Sequence, residues 1–246
     1  MNEIQKLAKR LRLPYIKNNY QEAINESLDK QFSYEQFLKY ILIKENEARD
    51  RNGIDRRIKA ARFPYLKYLT DLDYNVFPLE VANRIRELQS LSFIDQGRNI
   101  ILVGNPGVGK THTAIGLGIK ACMERKSVLF ITVPNLITEL KENMTLNQLT
   151  NYKKKFINYD LVILDELGYI SFDKQGSELL FNLLSMRSEQ KSIIITTNLA
   201  FSRWQEIFHD PALTAAMVDR LTYKAYVINI TGDSYRLRVT KEWLNR

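Results

Sequence analysis

One cysteine, Cys122, stands among 246 residues, so no disulfide can close within the chain. Only two histidines occur, His112 and His209, and neither belongs to a zinc-type Cys/His spacing. No apolar run approaches bilayer-crossing length, and the first residues are mixed and charged, unlike a secretory leader. Repeats and low-complexity segments are lacking too. These absences lead us to expect a soluble cytoplasmic protein without a membrane partner, in which Cys122 is a small buried thiol. What remains is ordinary for a globular chain: 45% hydrophobic residues, enough for one core with a small appendage. The net charge of +8 leans toward polyanionic partners without naming one.

Against that background one segment carries most of the information. Gly104-Asn105-Pro106-Gly107-Val108-Gly109-Lys110-Thr111 matches the phosphate-binding loop at every fixed position. Such a loop wraps backbone N–H groups around nucleotide phosphates, and its glycines permit dihedrals and approaches that a Cβ forbids. The spacing assigns Lys110 to the β- and γ-phosphates and the Thr111 hydroxyl to Mg²⁺. His112 follows directly and is grouped with the nucleotide-binding residues, without a catalytic role. Ahead of the loop lies the apolar run Ile100–Val103. Behind it Ala114, Leu117, Ala121 and Cys122 recur at helical spacing. Strand, loop and helix in that order bring an anion to a helix N-terminus.

A second constellation ends another apolar run. Leu161-Val162-Ile163-Leu164 leads into Asp165-Glu166, two acids at the edge of the sheet where ligands of open α/β folds collect. Asp165 is suited to hold Mg²⁺, and Glu166 to orient and polarise an attacking water. The run Ile193–Thr197 ends at Asn198, whose amide is a candidate neighbour of the γ-phosphate; a strand-ending turn asparagine is the plainer reading. Arg220 and Arg236 are candidates for stabilising the charge of phosphoryl transfer, or are solvated surface arginines.

Five short runs rich in Ile, Val and Leu (100–103, 128–133, 161–165, 193–197 and 226–230), mostly separated by helical segments, predict an α/β domain with a parallel sheet covered on both faces. Residues 1–70 read instead as helical and basic, and 71–246 as the α/β domain. In the first part Pro14 is expected to close a helix carrying Ile4, Leu7 and Leu11. Ser33 and Gln36 form a capping-box pattern opening a second helix. A further helical pattern over 51–62, weakened by Gly53, carries the stripe Ile54, Ile58 and Ala61. Arg49, Arg56 and Lys59 point away from that stripe, with Arg57 and Arg62 at its edges. They are candidate DNA-phosphate contacts, or a solvated face balanced by Glu45, Glu47, Asp50 and Asp55. Lys153, Lys154 and Lys155, in the long connection between the second and third runs, carry the same two readings. No helix-turn-helix pattern suggests base reading, so the expected target is duplex backbone with little sequence preference.

The phosphate loop, Asp165-Glu166, Thr197-Asn198, Asp219-Arg220 and Ser234-Tyr235-Arg236 occur in an order similar to the IstB/DnaC-like branch of AAA+ ATPases. Leu13-Pro14 and Arg56-Arg57-Ile58-Lys59-Ala60-Ala61-Arg62-Phe63-Pro64 resemble the IstB family specifically. The resemblance covers nearly the whole chain. It implies a P-loop AAA+ three-layer sandwich with a five-stranded parallel sheet, a small helical N-terminal domain and no C-terminal lid. It implies Asn198 as γ-phosphate sensor and Arg220 as a finger reaching a neighbouring subunit's nucleotide. Arg236 becomes a second sensor, on or near a strand, and the 134–159 connection holds an extra helix that touches nucleic acid. The implied protein is an ATP- and Mg²⁺-dependent ATPase that self-assembles head-to-tail into a ring or helical filament on duplex DNA and helps a transposase. A DnaC-like helicase loader is the alternative within the branch. A small-molecule kinase is the alternative outside it, less suited to the water-activating Glu166. Phe77-Pro78 is the candidate adenine pocket.

Overall fold

A computed structural model describes residues 2–188 and 190–244. The chain divides into two compact units, Met1–Arg56 and Arg57–Arg246. The first contains α1 (Glu3–Arg10), α2 (Pro14–Asp29) and most of α3 (Tyr34–Ala60). Asn2 and Gln5 form a capping box on α1. Ser33 and Gln36 do the same ahead of α3, as the sequence predicts, with reciprocal bonds of 2.7 and 3.2 Å.

Two expectations for this unit are corrected. Pro14 does not close the first helix. That helix ends at Arg10, Arg12 turns left-handed (φ 57°), and Pro14 opens α2, where its missing N–H costs nothing. Leu13 gives α2 no side-chain cap; instead the buried Glu45 carboxylate of α3 accepts the Ile16 N–H at 3.1 Å. Second, the patterns around Phe37 and around Ile54 are one helix of 27 residues running through Gly53. A glycine in a helix interior costs only about 1 kcal/mol relative to alanine, too little to break a helix held by its packing.

The second unit contains α4 (Leu79–Leu88), α5 (Ser92–Asp95), β1 (Ile100–Val103), α6 (Lys110–Met123), β2 (Val128–Thr132), α7 (Val133–Thr145), α8 (Leu149–Asn158), β3 (Leu161–Leu167), α9 (Lys174–Ser185), β4 (Ser192–Thr197), α10 (Gln205–Phe208), α11 (Pro211–Thr222), β5 (Tyr226–Asn229) and α12 (Tyr235–Leu244). The strands form one sheet in the order β2-β3-β4-β1-β5, every neighbouring pair parallel. All five fall on the predicted apolar runs. The alternation of strand side chains divides the core. Ile100, Leu102, Ile163 and Ile194 face α4 and α6, whereas Ile101, Val162, Leu164 and Ile195 face α7, α9 and α11. This is a three-layer sandwich, and burial on both faces explains why the strands read as continuous apolar runs.

Two buried polar side chains fasten the layers. Asn99 accepts the Ile193 N–H at 3.0 Å and donates to Leu221 O at 3.2 Å, tying the start of β1 to β4 and α11. Arg187, fully buried after α9, donates to Phe156 O, Ile157 O and Ser192 O at 2.9, 3.2 and 3.0 Å. It thereby holds the C-terminal end of α8 to the first residue of β4. Burial pulls its pKa down to about 10, with Asp160 opposing. Beyond β2 the Ala61 carbonyl accepts the Phe130 N–H at 2.8 Å, so the chain leaving α3 covers that edge of the sheet.

Candidate nucleotide site

The phosphate loop connects β1 to α6 at the C-terminal edge of the sheet. Two of its glycines are required by close approach. A Cβ on Gly104 would lie 2.3 Å from Ile230 O. Gly107 sits at φ +85°, and a Cβ there would lie 2.1 Å from Ser234 Oγ. Lys110 begins α6 with its ammonium folded into the loop, donating to Gly104 O at 2.7 Å and Asn105 O at 2.8 Å. Burial lowers the Lys110 pKa from its ordinary value; Asp165 opposes that and Arg236 adds to it.

Thr111 Oγ1 donates to Asp165 Oδ1 at 2.9 Å, which joins the loop to the end of β3. The Thr196 hydroxyl of β4 also donates to Asp165, and it accepts the Glu166 N–H at 3.0 Å. Asp165 is buried, whereas Glu166 is exposed and lines a cavity of ≈ 570 Å³ beside the loop. Gly107, Val108, Gly109, Lys110, Thr111 and His112 line it as well, and its floor includes Leu72, Val76 and Phe77. A hard-oxygen pair, the Thr111 hydroxyl and the Asp165 carboxylate, within hydrogen-bond distance of each other fits Mg²⁺. Among the described residues no cluster of three or more His, Cys, Asp or Glu forms another metal site.

The remaining candidates separate. Arg236 is corrected in one respect: it occupies the first turn of the helix α12, not a strand, and it lines the same cavity as Lys110 and Glu166. The residues after β5 pass over the phosphate loop, donate the Tyr235 N–H to Gly107 O at 3.1 Å, and then turn helical. Asn198 lines a second cavity of ≈ 390 Å³ with Asn105, Pro106 and Arg203. Its Oδ1 is buried with no hydrogen-bond partner among the described residues. Arg220 lines neither cavity. Its guanidinium lies over the Phe181 ring, 4.5 Å from the centroid, and donates to Ser185 Oγ at 2.7 Å. The ring of His112 meets Tyr68 O at 2.9 Å.

The basic candidates differ in how free they are. Arg49 donates to Arg12 O at 3.0 Å and stands 3.7 Å from Glu45; Arg56 donates to Asn52 O at 3.3 Å. Arg57 is half-buried and donates to Cys122 O at 2.7 Å, and Arg62 pairs with Glu139 at 2.9 Å. Lys59, Lys154 and Lys155 are exposed, and Lys153 is half-buried. The last three lie on α8, a helix additional to the crossover helix α7.

Sequence reasoning missed Tyr65, Lys67, Tyr169 and Thr196 as cavity-lining residues. Burial raises the pKa of Tyr65 and Tyr169, and the nearby Asp165 and Glu166 carboxylates raise both further while Arg236 opposes. The Arg-Phe-Pro phrase immediately before Tyr65 and the Thr-Thr-Asn run were available signals. Neither says that its residues reach the acids.

A family model described as IstB-like ATP binding protein matches residues 6–242. A Pseudomonas aeruginosa protein named for insertion sequence IS21 and for ATP binding is 36% identical over 97% of this chain and 90% of its own length. A Bacillus thuringiensis subsp. berliner protein named in the same way for IS232 is 35% identical over 93% of this chain and 91% of its own. Among solved structures, the DnaC helicase loader matches with a TM-score of 0.54 at 22% identity, covering 72% of this chain and 99% of that one. This is a likeness of fold.

Proposed function

We infer the function from one premise: this chain belongs to the IstB-like ATP binding protein family. It is an ATPase that assembles on duplex DNA and helps the transposase of an insertion sequence. The observation that carries the ATPase reading is the Thr111–Asp165 contact of 2.9 Å beneath a complete phosphate loop, with Glu166 facing the same cavity. Full-length similarity to insertion-sequence proteins supports transposition over helicase loading, because the DnaC likeness extends to fold alone.

ATP lies with its phosphates in the loop and its base toward Leu72, Val76 and Phe77. Thr111 and Asp165 would hold Mg²⁺, which would supply positive charge to the phosphate oxygens. Glu166 accepts a proton from water as the water oxygen bonds to the γ-phosphorus. The bond from that phosphorus to the bridging β–γ oxygen breaks, giving ADP and phosphate. Lys110 leaves its loop carbonyls for the β- and γ-phosphates, and Arg236 adds positive charge from α12. Asn198 senses the γ-phosphate from the second cavity. Arg220 reaches the nucleotide of a neighbouring copy, which couples hydrolysis to a head-to-tail ring or helical filament. Contacts to DNA are made with phosphates, by Lys153, Lys154 and Lys155 of α8 and by Arg49, Arg56, Lys59 and Arg62, with little sequence preference, whereas Arg57 is held by Cys122 O and serves the fold.

The test is particle mass with random-sequence duplex, with and without ATP, using the Glu166→Gln form. Large discrete complexes that require both ATP and DNA are expected. A monomer or dimer under every condition overturns the assembly reading. Phosphate release by the wild-type protein, absent in Lys110→Ala, separately tests hydrolysis.

A further inference from the structure

Thr196 of β4 stands beside both acids of β3. It is 2% exposed, at the penultimate residue of β4, and its single hydroxyl engages both acids of β3. The oxygen accepts the Glu166 N–H at 3.0 Å and donates its own hydrogen to Asp165 Oδ1. Asp165 in turn receives Thr111 Oγ1. Loop, β3 and β4 are therefore joined through one carboxylate and one hydroxyl.

The backbone around Glu166 gives this link its importance. Register between β3 and β4 is regular from Leu161 to Leu164, then shifts before Leu167 pairs with Thr197. Glu166 lies inside that irregularity at φ +64°, a left-handed conformation that costs a residue with a Cβ roughly 1–2 kcal/mol. Its N–H has left the regular ladder and is bonded to a side chain. In a regular strand Asp165 and Glu166 would face opposite sides of the sheet. Here Asp165 is bonded to Thr111, and Glu166 opens into the cavity that Thr111 lines.

We propose that Thr196 is a positioning residue for ATP hydrolysis: its hydroxyl holds the Glu166 backbone in the bulge and aims the Asp165 carboxylate at Thr111. Valine keeps the branched shape and loses both hydrogen bonds, leaving a buried N–H and a buried carboxylate oxygen each short of a partner. Serine keeps the hydroxyl. The proposal rests on the ATPase reading, and its test separates the two.

The experiment compares wild type, Thr196→Val, Thr196→Ala and Thr196→Ser for kcat, KM and thermal midpoint, and for the affinity of a fluorescent ATP analogue with and without Mg²⁺. We expect kcat to fall about tenfold or more in T196V and T196A, the size of one lost buried hydrogen-bond partner, with KM within about threefold of wild type. T196S returns kcat to within about threefold of wild type. The tightening of analogue binding by Mg²⁺ shrinks in T196V and returns in T196S. Wild-type kcat in folded T196V or T196A overturns the proposal. Equal loss in T196S does so as well, since packing rather than the hydroxyl would then be the cause. Should wild type hydrolyse nothing, the ATPase reading fails, while the Mg²⁺-dependent affinity still decides whether Thr196 aims Asp165.

Discussion

Ser234 rests on Gly107: a Cβ at that glycine would lie 2.1 Å from the serine Oγ and 2.9 Å from its Cβ. The contact is continued by the Tyr235 N–H, which donates to Gly107 O at 3.1 Å. The start of α12 is thus seated on the tip of the phosphate loop, and Arg236 follows one residue later, lining the cavity.

Gly107→Ala is therefore expected to displace both segments at once. The new Cβ meets Ser234, and the left-handed φ of +85° becomes costly in itself. ATP affinity should fall about tenfold or more, corresponding to about 1.4 kcal/mol, by titration of a fluorescent analogue. Gly107→Ala combined with Ser234→Gly should recover part of the loss, because only the contact and not the dihedral is relieved. No change in affinity for the single variant would show that the loop tolerates the displacement.

Lys110 and Glu166 should separate binding from chemistry. Lys110→Ala removes the ammonium that the loop holds at Gly104 O and Asn105 O, and should abolish measurable ATP binding. Glu166→Gln leaves the loop intact and should bind ATP normally while slowing phosphate release by about 10²–10⁴-fold, the range for losing a general base. Hydrolysis at the wild-type rate in Glu166→Gln would move the base to another residue.

Arg220 is held by the Phe181 ring and Ser185 Oγ, and it lines neither cavity of its own chain. Mixing tests whether it works for a neighbour. Arg220→Ala and Glu166→Gln should each be poor ATPases alone. Mixed, they should regain activity, since Glu166→Gln subunits can lend an intact Arg220 to sites with an intact Glu166. Activity no greater than the sum of the two separate samples would assign Arg220 to a structural role.

Salt dependence distinguishes the basic candidates. Lys154 and Lys155 are exposed on α8, and replacing both with alanine should flatten the slope of log affinity for duplex against log salt by about 1.8 if each neutralises one phosphate. Arg57 is bonded to Cys122 O, so Arg57→Ala should chiefly lower the unfolding midpoint. An unchanged slope for the lysine pair would remove α8 from the interface.

Asp160 should make stability depend on acid. It accepts Ser127 N–H at 2.9 Å, Ser127 Oγ–H at 2.8 Å and Lys191 Nζ–H at 2.8 Å. Burial alone would raise its pKa, but these donors together bring it down to about 2. The folded pKa thus lies below the ordinary carboxylate value, so the stabilisation is complete above pH of about 4 and is lost as pH falls toward 2. Urea unfolding of wild type and Asp160→Asn should show a gap at pH 7 that narrows at pH 3. A gap independent of pH would mean that Asp160 acts without its charge.

Much of the nucleotide site is written locally in the chain. Ile100–Val103 with Gly104–Thr111, and Leu161–Leu164 with Asp165-Glu166, are contiguous strings in which apolar runs specify strands and adjacent polar residues fall at the sheet edge. Cys122 as a buried thiol is legible in the same way: burial pushes its pKa to about 11, with Arg57 opposing. The rest depends on residues far apart in sequence. Pro14 reads as a helix stop, and it opens α2 where Glu45, 29 residues past Ile16, accepts the first-turn N–H. Thr196 reads as an ordinary strand residue until the sheet order places β4 beside β3 and brings it to the two acids. Arg187 looks like a surface arginine until three carbonyls from α8 and β4 close around it. Arg236 has only a short polar segment before it, and becomes part of the cavity because Ser234 seats that segment on Gly107. Hydrophobic period and motif spacing determine which segments form the strands of the sheet and that the phosphate loop and the two acids follow them. Which side chains then meet was decided by the tertiary structure, because hydrogen bonds and contacts act over about 3 to 4 Å in space, whatever the separation along the chain.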